Sequence, residues 1–81
     1  MNYSIKFSNK AERFLDKLDD KQYLRIISKV RMLPQGSDIK KMQGFKNRHR
    51  LRVGDFRVIY EIENDALLIL VLEIGNRGDV Y

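Results

Sequence analysis

The chain has no cysteine, a single proline (Pro34) and a single histidine (His49). Lack of cysteine excludes disulfides and thiolate metal sites, so 81 residues must hold together by packing alone. That length lies near the lower end of what folds without staples. Long apolar runs are missing too. The longest, "ALLILVL", is far too short to span a bilayer, and "MNYSIKFSNKAERF" carries charges where a signal peptide needs an apolar core. With neither repeats nor a linker, residues 1–81 read as one domain, expected to be soluble, cytoplasmic and without a membrane partner. A composition of 43% hydrophobic and 33% charged residues is that of a globular chain rather than a disordered one.

What is present in excess is positive charge, and it is concentrated. Lys40, Lys41, Lys46, Arg48, Arg50, Arg52 and Arg57 fall within residues 40–57, opposed there only by Asp55. This segment carries +6 and the remainder −1, so the whole surplus sits in one place. Such concentration points to a polyanionic partner, nucleic acid first, the alternative being a solvated basic surface.

Along the chain, Tyr3, Ile5 and Phe7 alternate with polar residues as in a half-buried strand. Ser8 or Asn9 is the expected cap of a first helix, with Glu12 three residues after Asn9 as in a capping box. Ala11, Phe14, Leu15 and Leu18 form its apolar stripe. Asp19 or Asp20 caps a second helix with the stripe Tyr23, Ile26, Ile27, Val30 and Leu33, which Pro34 stops. Two amphipathic helices with so short a break form an antiparallel hairpin. Residues 35–45 read as a connection anchored by Ile39 and Met42. Strands follow at about 46–53, 56–63 and 66–74, joined by two-residue turns at Gly54-Asp55 and Asn64-Asp65. The expected architecture is α+β: β-α-α-β-β-β, an antiparallel sheet with both helices on one face.

The Gly54-Asp55 turn sets a register. Val53 faces Phe56, Arg52 faces Arg57, Leu51 faces Val58, Arg50 faces Ile59 and Arg48 faces Glu61. Leu51, Val53, Phe56, Val58, Tyr60 and Ile62 then share the helix side, while Arg48, Arg50, Arg52 and Arg57 cluster opposite. His49 falls on the helix side against Tyr60, a packing position rather than a catalytic one. Arg52 opposite Arg57 is unfavourable by up to ~1 kcal/mol. Glu61 can pair with Arg48, yet one carboxylate cannot satisfy four guanidinium groups, so the cluster awaits an external anion. Leu68, Leu70, Leu72 and Ile59 are expected on the arginine side, covered either by the chain's own tail or by another polypeptide.

Three stretches, "YSIKFSNKAERFLDKL", "KKMQGF…RHRLRVGDFRVIYEI" and "LEIGNRGDVY", together resemble the RelE/ParE toxin superfamily over essentially the whole chain. The resemblance implies a small sheet with two helices on one face. It also implies a RelE-type, ribosome-dependent endoribonuclease that cuts mRNA in the A site and needs no cofactor or metal. It implies a partner antitoxin that wraps and blocks the toxin, with operator DNA bound only through that complex. By the same resemblance, Arg48, Arg50, Arg57, Arg77 and Tyr81 occupy the positions that carry chemistry, while Lys40, Lys41, Lys46 and Arg52 serve RNA and ribosome binding.

The chemistry fits such a set. RNA supplies its own nucleophile, the ribose 2′-OH, and arginines stabilise the phosphate charge. Arginine stays protonated, which leaves Tyr81, its pKa lowered by nearby cations, as the candidate general base. Asn76 stands where many relatives carry histidine, and Arg48 and Arg50 stand where others carry lysine. Two other readings remain: a ParE-like inhibitor of DNA gyrase, and a non-catalytic nucleic-acid-binding domain.

Overall fold

A computed structural model of the chain describes residues 3–76. Its elements are β1 (Ser4–Phe7), α1 (Asn9–Asp16), α2 (Asp20–Val30), β2 (Ile39–Lys41), β3 (Arg48–Val53), β4 (Phe56–Glu63) and β5 (Leu68–Asn76). They form a five-stranded sheet in the order β1-β5-β4-β3-β2. The α+β class and the placement of both helices over one face are as the periodicity predicts. Ala11 and Leu15 from α1 and Ile26 and Val30 from α2 share one core with Leu51, Val53, Val58, Tyr60 and Val71. No described helix is long and apolar enough to cross a membrane.

Three features correct the expected sheet. First, it is mixed, because β1 runs parallel to β5 (Ser4 beside Leu68, Phe7 beside Val71). Strand direction leaves no mark in an alternating pattern. Second, residues 39–41 are not part of a loop but a short edge strand, with Lys40 opposite Arg50 and Ile39 opposite Leu51. Three residues with one apolar side chain carry no readable period; β3 imposes the pairing. Third, the β4–β5 connection is four residues long, Asn64 to Leu67, closed by the Leu67 amide donating to the Asn64 carbonyl at 3.2 Å. Leu67 holds φ +50° to make that turn. Glu63 therefore faces Leu68 rather than residue 66. A shift of two residues preserves sidedness, so Leu68 and Leu70 do lie on the arginine side. At Leu72 the regular pairing lapses, since the ladder jumps from Tyr60–Val71 to Ile59–Glu73 and leaves it in a bulge.

The helix caps follow local chemistry. Ser8 caps α1, its Oγ accepting the Ala11 amide at 3.1 Å and donating to the Leu72 carbonyl at 2.6 Å. With Ser8 as cap the third helical position is Ala11, so Glu12 closes no capping box; its amide donates to the Ser8 carbonyl. Asp19 caps α2 by accepting the Gln22 amide at 2.8 Å. That helix ends at Val30, ahead of Pro34, and tightens through Met32→Lys29 and Leu33→Val30 backbone bonds. A proline ring at position 34 collides with the Val30 carbonyl of a continuing helix, which is why regular winding stops a turn early.

At the centre of the core, Tyr60 is fully buried, with the His49 ring stacked 5.5 Å away at 18°. Among the described residues its hydroxyl has no hydrogen-bond partner, and burial pushes its pKa up to about 12. The unfolded chain loses this proton near pH 10, before the folded one does. The contribution of neutral Tyr60 is thus fully present below about pH 10 and is lost as pH rises toward about 12. An unpartnered buried hydroxyl costs about 1–3 kcal/mol. Tyr60→Phe is accordingly expected to melt no lower than the parent at pH 7. It should also flatten the fall in stability between about pH 10 and 12, as followed by thermal melts across that range.

Candidate nucleic-acid interface

The β3–β4 hairpin pairs as the turn predicts: Val53 with Phe56, Arg52 with Arg57, Leu51 with Val58, Arg50 with Ile59 and Arg48 with Glu61. Gly54, at φ +58°, permits the two-residue reversal. Apolar residues of the alternating set therefore go to the helices and the four arginines to the opposite side of the sheet, where Ile59 is itself buried at 8% exposure. His49 takes the predicted place against Tyr60, with Nδ1 3.2 Å from the Asn47 carbonyl oxygen.

The four arginines do not form one group. Arg50, Arg52 and Arg57 line an open cleft of about 460 Å³, joined by Lys40 from β2. Arg57 is only 9% exposed, whereas Arg52 is exposed. Phe56 and Ile39 supply apolar wall, and Asp38 is the one carboxylate among the lining residues. Arg48 is drawn aside. Its Nη2 and Nε donate to Glu61 Oε2 at 2.9 and 3.3 Å, and its guanidinium sits 4.1 Å from the centre of the Phe45 ring. Lys41 pairs opposite His49, on the other side of the strand from Lys40, and Lys46 is exposed in the β2–β3 loop. Arg77 and Tyr81 lie outside the described residues. Asn76 closes β5 opposite Phe56, and Gly75 lies opposite Arg57.

Two acids on this side of the sheet are engaged by other cations. Glu61 is held by Arg48, and Glu73, opposite Ile59 on the same side, is held by Lys10 at 2.6 Å. Among the lining residues, Lys40, Arg50, Arg52 and Arg57 outnumber the one carboxylate, Asp38. Several guanidinium groups converging on an open cleft suit a phosphate with its fixed oxygen geometry. Two contributors escape the sequence pattern. Asp38 enters through a left-handed turn (φ +63°) ahead of β2. Arg25 of α2 reaches the hairpin tip: a Cβ placed on Gly54 would stand 2.7 Å from its Nη2. Arg25 lies off the apolar stripe, and only the fold brings it to the cleft's rim.

Residues 5–81 match the family model of the ParE toxin of type II toxin–antitoxin systems. An Escherichia coli protein described as a RelE-like toxin is 30% identical over 87 residues, covering 100% of this chain and 92% of that protein. The chain belongs to the RelE/ParE toxin superfamily. It is the toxin of a type II toxin–antitoxin system. Among solved structures, the archaeal RelE–RelB complex of Pyrococcus horikoshii superposes with a TM-score of 0.82 at 27% identity, covering 99% of this chain and 100% of that one. The RelBE2 toxin–antitoxin complex of Mycobacterium tuberculosis shares the fold, with a TM-score of 0.80 at 19% identity and coverage of 98% and 95%.

The toxin's cleft depends on Gly54 twice, for its left-handed backbone and for the space Arg25 occupies. A Cβ in left-handed backbone costs roughly 1–2 kcal/mol. Gly54→Ala is expected to lose at least that in urea unfolding, because Arg25 must also move.

Proposed function

We propose that this toxin is a ribosome-dependent endoribonuclease that cuts mRNA in the A site and is held in check by a cognate antitoxin. The observation that carries the reading is the convergence of Arg50, Arg52, Arg57 and Lys40 on one open cleft. The resemblance to RelE-type toxins and the solved RelE–RelB complex support it.

In the proposed reaction the ribose 2′-oxygen bonds to phosphorus and the P–O5′ bond breaks. The 2′ proton passes to a base, and the departing O5′ takes up a proton. The phosphorane gains negative charge, which the guanidinium groups of Arg50 and Arg57 stabilise from fixed positions. Buried Arg57 loses most of its competition from water, which strengthens its hold on the phosphate. Arg52 and Lys40 neutralise flanking phosphates. Arg48, tied to Glu61 and Phe45, serves the RNA strand away from the cut rather than the reacting phosphate. By resemblance, Tyr81 is the base and Arg77 a further phosphate ligand.

The match to a ParE family model favours a second reading, inhibition of DNA gyrase without nuclease chemistry. The two separate in a translating extract to which the purified toxin is added. The endoribonuclease reading expects mRNA ends at stalled codons only when ribosomes are present. Arg57→Ala should slow cleavage by about 10²–10³-fold, as removal of one transition-state donor does. Intact message together with blocked supercoiling assigns the toxin to gyrase instead, and salt-sensitive binding without cutting assigns it to neither enzyme target.

A further inference from the structure

We infer that Phe45 is the stacking platform for an unpaired base of the bound RNA, an inference that rests on the mRNA-cleavage reading above. Phe7 and Phe14 pack against the core and Phe56 is buried within it, whereas Phe45 is 44% exposed and takes no part in that cluster. Its ring stands in the loop between β2 and β3, beside exposed Lys46, with the Arg48 guanidinium 4.1 Å from its centre. That guanidinium is fixed in turn by Glu61 through two hydrogen bonds. The ring therefore has an anchored cation against it, and nearly half its surface faces water.

Its location fits a single strand leaving the cleft. Lys40 and Arg50 line the cleft and also a shallower groove that runs on past Met42 and Gln43, toward the loop that carries Phe45. Along β3, Arg52 and Arg48 are separated by about 13 Å at the usual rise per residue. Phosphates can follow this basic track while one base turns onto the Phe45 ring. Aromatic side chains flanked by cations are the standard receptors for unpaired bases, and they accept any base because each has a π-face. Phe45 then positions the strand without reading its sequence.

The test uses a ribosome complex carrying a synthetic mRNA with an empty A site, and single-turnover cleavage by the full toxin. Phe45→Leu is expected to slow cleavage about five- to hundredfold on the intact message, the range for losing one stacked base. Phe45→Tyr, which keeps the ring, is expected to cut like the parent. Messages with an abasic sugar at each A-site position separate stacking from a mere hold on Arg48. At the stacked position the parent should slow, and Phe45→Leu should slow no further. The inference is overturned if Phe45→Leu cuts the intact message at the parent rate. It is equally overturned if the variant's deficit is the same on every abasic message. If the parent leaves the message uncut, the mRNA-cleavage reading falls and takes this one with it.

Discussion

Two residues at the tip of one hairpin decide which side of the sheet the arginines of its two strands occupy. Gly54 adopts φ +58°, and the reversal it permits places Val53 against Phe56. From that pair the alternation runs back along both strands without interruption as far as Glu61. A connection longer or shorter by one residue would put Arg57 on the face opposite Arg50 and Arg52, so one strand or the other would turn its arginines into the core. Burying those guanidinium groups unpaired among aliphatic side chains would cost far more than the fold has to give. The apolar half of the pattern and the glycine therefore enforce one register, and the arginine face is its consequence.

The same locality explains what could be read from the chain. Hairpin register, both helix stripes and the Asp19 cap depend on residues close together in sequence, and these are visible there. Features set by distant partners are not. Strand β2 exists because the β3 edge offers Lys40 and Ile39 a ladder, and no property of "IKK" announces it. The parallel course of β1, the left-handed Leu67 and the bulge at Leu72 are likewise set by neighbours far along the chain. In the site, the Arg48–Glu61 pairing was legible from register. Its outcome is less so: Glu61 and Phe45 hold Arg48 at one end of the face, while Arg52, expected in the cluster as an RNA- and ribosome-binding residue, lines the cleft with Arg50 and Arg57.

The helix layer is fastened independently of that face. Ser8 links α1 to β5 in two ways: its amide donates to the Val71 carbonyl at 2.9 Å and its hydroxyl to Leu72 at 2.6 Å. The bulge takes Leu72 out of the regular pairing with β4, and its carbonyl accepts the cap hydroxyl instead. An irregularity that weakens the ladder thus serves the helix junction. Core cohesion consequently rests on the side of the sheet that carries no clustered charge.

This separation lets the toxin tolerate an electrostatically unfavourable surface. Arg52 directly opposite Arg57 costs up to ~1 kcal/mol, a loss that a single buried leucine or valine on the helix side offsets. Glu61 is claimed by Arg48 and Glu73 by Lys10, each at one border of the cluster. Asp38 is the one carboxylate among the residues that line the cleft with Arg50 and Arg57. A directly opposed pair of guanidinium groups such as Arg52 and Arg57 is thus tolerated because the other face of the sheet supplies the cohesion.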